Sequence, residues 1–176
     1  MKVRRPLQAD ERAALESLVH QVGPRLLAYV RQVYGQRIDT EDLVAETFCR
    51  AADNVETLLS CERRDLYLLT ITRNLCRDGF RRRRPETLSD EHVPEPADSA
   101  PDPERTLARR ERHEALRRAV AALPQTQREI VVLRLSGGLK FEEIAELLDV
   151  PLGTALSRMH AAVQRLRNQL GHAYDL

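Results

Sequence analysis

The stretch from Lys140 to Leu170 sets the tightest constraint on the fold. Phe141, Ile144, Ala145 and Leu148 recur at helical spacing, which lays an apolar stripe along one side of a helix over Lys140–Leu148. Asp149-Val150-Pro151 ends it, because proline lacks a backbone donor and pushes its predecessor out of helical geometry. The spacing predicts a second helix from Leu152 to Leu170. Leu152, Ala155, Met159, Val163, Leu166 and Leu170 share one of its faces, and Thr154, Ser157, Arg158, Ala161, Gln164, Arg165 and Asn168 project the other way. Two helices joined by so short a turn have the geometry of a helix-turn-helix, whose second helix lies in the DNA major groove. A plain αα-hairpin inside a helical core has the same pattern. Small polar and basic side chains near the second helix's start favour DNA, since hydroxyls and arginines fit phosphates and base edges.

A chain of 176 residues is one large domain or two small ones. Aromatics make up only 4%, with no tryptophan, while 31% of residues are charged, a composition that suits small helical bundles better than a β-sandwich. The formal net charge of +1 names no partner; the distribution of charge is what informs. No apolar run approaches the ~18 residues of a membrane span, and the polar start has no signal-peptide core, so a cytoplasmic protein without membrane insertion is expected. Cys49, Cys61 and Cys76 form no C-x-x-C pair and read as buried or idle thiols in a reducing compartment. With no Gly-rich phosphate loop, no His/Cys cluster at metal spacing and no nucleophile–base arrangement, the expectation is a protein with no cofactor, no metal and no catalysis of its own.

Ahead of the hairpin the chain divides in two. Met1–Glu11 is short and charged and is expected to fray. Arg12–Tyr34 is helical, with Leu15, Leu18, Val19, Val22, Leu26, Leu27, Val30 and Val33 at threes and fours; Gly23-Pro24 predicts a kink or a break into two helices. Asp39-Thr40-Glu41-Asp42 opens the next helix with an N-cap residue and first-turn acids, and Leu43, Val44, Thr47, Phe48 and Ala51 carry its buried face. Those acids serve as capping alone or also as a surface for a basic partner. Asn54–Arg64 reads as less regular. A third helix follows from Asp65, with Leu66, Leu69, Ile71, Thr72, Leu75 and Phe80 inward, and ends in Arg81-Arg82-Arg83-Arg84. Basic residues run up this helix from Arg63 and Arg64 through Arg73 and Arg77, which favours a nucleic-acid backbone over a merely solvated helix end. Pro85–Pro103 holds five prolines and six acids and reads as an extended linker, because it cannot bury enough surface to offset its ordering entropy. Beyond it come a helix over Glu104–Ala122 with Leu107, Leu116, Ala119, Val120 and Leu123, and one over Gln125–Leu135 with Ile130, Val131, Leu133 and Leu135 inward. Gly137-Gly138 stops the latter. The fold class is therefore all-α: modules over 1–84 and 104–176 joined by a linker over 85–103.

These residues resemble a family. Asp39-Thr40-Glu41-Asp42-Leu43-Val44-Ala45-Glu46-Thr47-Phe48, and Thr70-Ile71-Thr72-Arg73-Asn74-Leu75-Cys76-Arg77-Asp78 with the arginines after it, look like region 2 of an extracytoplasmic-function sigma factor. Ala122-Leu123-Pro124-Gln125-Thr126-Gln127-Arg128-Glu129, Phe141-Glu142-Glu143-Ile144-Ala145-Glu146-Leu147-Leu148 and Val150-Pro151-Leu152-Gly153-Thr154-Ala155-Leu156-Ser157-Arg158 look like its region 4. No single motif decides it; their order along nearly the whole chain does. The resemblance implies a subunit that binds core RNA polymerase and directs it to promoters. It implies core-polymerase contacts at Asp39, Glu41, Asp42, Leu43, Glu46 and Phe48, −10 DNA contacts at Arg63, Arg64, Arg73, Asn74, Arg77, Asp78, Arg81 and Arg82, and −35 DNA contacts at Thr154, Ser157, Arg158, His160 and Arg165. It further implies a linker passing near the polymerase's active channel, and an anti-sigma factor as a controlling partner. The chain departs from the family where Leu156 and Ala161 stand at positions often basic, where Ala52 replaces the usual tryptophan, and where Asp149 replaces a common glycine.

Two rivals use the same features. A stand-alone helix-turn-helix regulator never joins polymerase and binds its duplex tightly alone. An adaptor binds another protein through its acidic helix, and supports no promoter-specific transcription.

Overall fold

A computed structural model describes residues 5–35, 38–82 and 103–171; the side chains of 80–82 and 103–110 lie outside that description. The described residues form helices and contain no strand. The chain divides into two compact units, Met1–Glu91 and His92–Leu176.

The first unit comprises α1 (Ala9–Tyr34), α2 (Thr40–Asp53), α3 (Val55–Ser60) and α4 (Arg64–Arg82). α2 packs on both α1 and α4, and α3 joins it against α4. Leu15, Leu18, Val22, Leu26, Val30 and Val33 of α1 bury against Leu43, Val44 and Ala51 of α2 and Leu68, Leu69 and Cys76 of α4. Asp39 caps α2, its carboxylate accepting the Asp42 N–H at 3.1 Å, as its position before the first-turn acids predicts.

Four expectations for this unit need correction. The start does not fray from Arg5 onward: Arg5 donates to Glu11 at 2.6 Å and to Glu56 at 3.0 Å, and Glu11 also accepts the Gln8 N–H at 2.9 Å at the start of α1. Of the kink or break expected at Gly23-Pro24, the break does not occur: α1 runs through Pro24 as one helix. Pro24 is exposed, on the solvent side of the helix, and Gly23 is buried beside the Phe48 ring. Within Asn54–Arg64 lies a helix, α3, seated by Val55 and Leu58. On α4 the inward residues are Leu68, Leu69, Thr72, Arg73 and Cys76, while Leu66, Ile71 and Leu75 are half-buried. Leu66, Tyr67, Leu68 and Leu69 follow one another without a polar break, so periodicity alone misplaces its face.

The second unit comprises α5 (Pro103–Ala121), α6 (Gln125–Leu135), α7 (Phe141–Leu148) and α8 (Leu152–Leu170). Pro103, expected as the last linker residue, instead opens α5, a position where its missing N–H has no partner to lose. The remainder of the expected linker, with Arg83 and Arg84 before it, lies outside the described residues. Ala119, Leu123, Val131, Ala162 and Leu166 form a buried cluster, flanked by Val120, Met159 and Leu170. Ile130, Leu133, Leu139 and Ile144 are also fully buried. α6 touches α5, α7 and α8, so Glu129 to Leu133 are buried on every side of it. Leu135, expected inward, projects beyond those neighbours and is 69% exposed; Leu116 and Leu152 are exposed too.

Candidate functional site

The helix-turn-helix is built by the backbone. α7 starts with the Lys140 N–H donating to Glu143 Oε2 at 2.7 Å, so the helix runs from Phe141 rather than Lys140. It ends at Asp149, which takes the left-handed conformation (φ 55°, ψ 53°), letting the Val150 N–H reach back to the Ala145 carbonyl at 3.0 Å. That pair of features satisfies the orphan carbonyls of the last turn. The Thr154 N–H then bonds to the Pro151 carbonyl at 2.9 Å and α8 begins. Ala155, Ala162 and Leu166 seat α8, two alanines permitting close approach to its neighbours. This inward set turns Gly153, Leu156, Ser157, His160 and Gln164 outward, all exposed.

Of the residues expected to meet DNA there, Ser157, His160 and Arg165 are exposed, whereas Thr154 and Arg158 are half-buried on the flank. The Ser157 hydroxyl donates to the Thr154 carbonyl at 3.0 Å. Among the described residues neither Arg158 nor Arg165 forms an ion pair. The 19 residues of α8 include Arg158, Arg165 and Arg167 but no Asp or Glu, in contrast to α7 with Glu142, Glu143 and Glu146. The surface that α8 presents is electropositive, with hydroxyls and an imidazole at its centre.

α4 separates its basic residues by role. Arg63 grips Asp65 with two nitrogens, at 3.0 and 3.1 Å, and Arg64 donates to the Leu59 carbonyl at 3.0 Å. The Arg63 hydrogen bonds, foremost, and the nearby Arg25 hold the Asp65 carboxyl below its ordinary range. Arg73 is only 9% exposed. Assigning Arg73 to DNA contact is therefore corrected: it faces the interior, its long stem packing inward where the sequence reads only a cation. Asn74, Arg77 and Asp78 are exposed on one stripe, which continues back to Thr70, a residue the motif reading passed over although the four-residue spacing marks it. Arg81 and Arg82 lie on the last turn of α4, their side chains outside the description.

On α2, Asp39, Glu41, Asp42 and Glu46 are exposed. Glu41 pairs with Arg31 of α1, and Glu46 with Arg50 at 2.8 Å. Leu43 and Phe48 stand differently. Leu43 belongs to the core, as the helical spacing expects, and Phe48 is half-buried with Gly23 beside its ring. The outer face of α2 includes two positions not picked out from the sequence, Ala45 and Cys49, exposed at helical spacing with Asp42 and Glu46. The three cysteines are free thiols, Cys49 exposed, Cys61 half-buried and Cys76 buried. Among the described residues there is no group of three or more metal-ligating side chains, and no helix is long and apolar enough to cross a membrane.

Two family models match the chain: sigma-70 region 2 over residues 18–86 and sigma-70 region 4 over residues 113–166. The ECF RNA polymerase sigma factor SigF of Caulobacter vibrioides is 33% identical over 172 residues, 96% of this chain and 92% of that protein. The ECF RNA polymerase sigma factor SigE of Mycolicibacterium smegmatis is 36% identical over 158 residues, 88% of this chain but 61% of that longer protein. The fold is also that of the sigma factor RpoE solved in complex with the anti-sigma factor NepR from Bartonella quintana, with a TM-score of 0.73 at 22% identity, over 92% of this chain and 99% of that one. On region models at both ends and full-length identity to a curated relative, the chain belongs to the extracytoplasmic-function sigma factors of RNA polymerase.

Proposed function

We propose that the chain docks on core RNA polymerase through the outer face of α2 and contacts the two promoter elements through α4 and α8. It does so in the cytoplasm, as an initiation subunit without catalysis of its own. Residues 1–84 form the module for polymerase and the −10 element, 85–102 the tether and 103–176 the module for the −35 element. The observation that carries this reading is the division of charge. α8 is free of acids and exposes Ser157, His160 and Arg165, while α2 exposes Asp39, Glu41, Asp42 and Glu46. A polyanion fits the first surface and a basic protein surface fits the second. Asn74, Arg77 and Asp78 face the −10 strand, with Arg81 and Arg82 of the last turn of α4 as further contacts. Arg63, which is exposed, and Arg64 at the start of α4 serve as further contacts to the −10 element, whereas Arg73 is buried within the unit. Thr154 and Arg158 flank the bases that Ser157 and His160 meet, within reach of phosphates. An anti-sigma factor controls the chain; the Bartonella quintana sigma factor of the same fold is solved in complex with the anti-sigma factor NepR.

Transcription from genomic fragments with purified core polymerase tests this reading. The expected result is a defined set of start sites that appears only when this chain is added. Tight binding of the free chain to the same duplexes, without polymerase, supports the stand-alone regulator instead. Failure to change the start sites of core enzyme overturns the sigma reading.

A further inference from the structure

Two exposed side chains on α8 are leucines, Leu152 at 40% and Leu156 at 45% exposure, one turn apart. A single surface leucine carries no meaning. These two occupy the first turns of a helix whose 19 residues carry three arginines, a histidine and no acid, and Leu156 lies between Gly153 and His160 on the outward side. The charge around them suits a polyanion, and within the major groove only one base edge offers an apolar group, the C5-methyl of thymine. Guanine presents two acceptors, cytosine a donor and adenine one of each, none of which a leucine can meet.

We propose that Leu156, assisted by Leu152, selects thymine in the element that α8 reads, by packing against the C5-methyl group. This rests on the reading of α8 as the promoter-contacting helix and specifies what it recognises. An arginine at the same position offers a bidentate match to guanine, so the leucine redirects recognition toward a methyl-bearing pair.

The experiment uses holoenzyme assembled from core polymerase and the full chain. Promoters randomised upstream of the −10 element are selected, and each selected thymine is then replaced by deoxyuridine, which deletes only the methyl group. At one or more positions the replacement weakens binding about fourfold, the worth of one methyl withdrawn from water. Leu156→Ala abolishes that sensitivity, and Leu156→Arg moves the selected base toward guanine. Both variants alter an exposed side chain, and unchanged helicity verifies their fold. Equal binding of thymine and deoxyuridine at every selected position overturns the methyl contact and leaves the promoter reading standing. Selection of no upstream element at all overturns both.

Discussion

Where α2 crosses α4 in the first unit, the hydroxyls of Thr47 and Thr72 meet at 3.1 Å in a fully buried position, and each also lies near a carbonyl of its own helix, Leu43 at 3.0 Å and Leu68 at 2.8 Å. Each hydroxyl carries one proton, so two of the three contacts are hydrogen bonds at any moment, and the side-by-side hydroxyls fix where α2 lies on α4. The second unit sets its helices through main-chain conformation at the turns. Gly138 has φ 65° and Asp149 φ 55°, and Gly137 sits so close to α6 that a Cβ there would lie 2.5 Å from the Leu133 carbonyl oxygen. The difference teaches how each surface is kept. In the first unit side-chain register orients the acidic and polar stripes, whereas in the second the aim of α8 is written into a few backbone angles and is vulnerable to a single carbon.

The largest effect separates the units by role. Asp42→Lys with Glu46→Lys should weaken binding to core polymerase at least about a hundredfold, because like charges brought together at an interface cost several kcal/mol. Circular dichroism should be unchanged, since both positions are exposed. Undiminished binding in a pull-down with core enzyme removes α2 from the docking surface.

Next comes a pair of glycines that contrasts the units directly. Gly137→Ala forces a methyl against main chain that cannot move aside, and should destabilise the second unit by about 1–3 kcal/mol, a typical cost of overpacking. Gly79→Ala on α4 meets nothing within 4 Å and should stabilise its helix by about 0.5–1 kcal/mol through lower backbone entropy in the unfolded chain. Urea midpoints read by amide exchange in each unit check both signs. If Gly137→Ala were neutral, the backbone account of the second unit would fail.

The hydroxyl pair comes third. Thr47→Val or Thr72→Val should each cost about 1 kcal/mol, the net worth of a buried hydrogen bond. The double variant should cost less than the sum, because neither hydroxyl is then left facing a methyl. Strict additivity in the double-mutant cycle denies the pair its role in fixing α2 on α4.

How much of this is legible beforehand depends on where the chain punctuates itself. α6 and α8 have readable limits because Pro124, Gly137-Gly138, Pro151 and Gly171 bound them, and Asp39 announces α2 through its capping chemistry. α3 is only six residues long, too short for periodicity to show. Arg73 is misread for a different reason. A motif lists residues without saying which side of the helix they occupy, and Arg73 turns out buried, whereas periodicity already sets Leu43 and Phe48 on the inner face of α2. The buried Thr47–Thr72 contact joins residues on separate helices and has no local signature. Arg5 and Glu11 look like solvated charge until Glu56 is brought beside them by folding.

At the turn of the helix-turn-helix, Asp149 alone among the described non-glycine residues has a positive φ. Glycine relieves that conformation but also loses more entropy on folding, so Asp149→Gly should gain less than about 1 kcal/mol, while Asp149→Ala should lose a similar amount. Thermal melts of the two variants check the opposite signs. A stabilising alanine contradicts the left-handed geometry assigned to the turn.

The smallest effect lies at the opposite end of the chain, in the first unit's one described tie between its leading segment and α3. Hydrogen bonds from Arg5, then from the Gln8 N–H, hold the Glu11 carboxyl below its ordinary range. A carboxyl whose folded-state pKa is depressed contributes stability above its unfolded value of about 4.3 and loses that contribution as the pH falls through the folded value. Arg5 is 47% exposed and Glu56 82%, so solvent screens the ion pairs and the effect stays modest. Glu11→Gln keeps an acceptor for the Gln8 N–H but removes the charge. The variant should be slightly less stable than the parent at pH 7, with the two converging as the pH drops below the carboxylate range. Amide exchange across α1 and α3 at stepped pH reads this out. Parallel profiles at every pH would mean that the Arg5 contact contributes nothing, leaving α1 anchored by its apolar face alone.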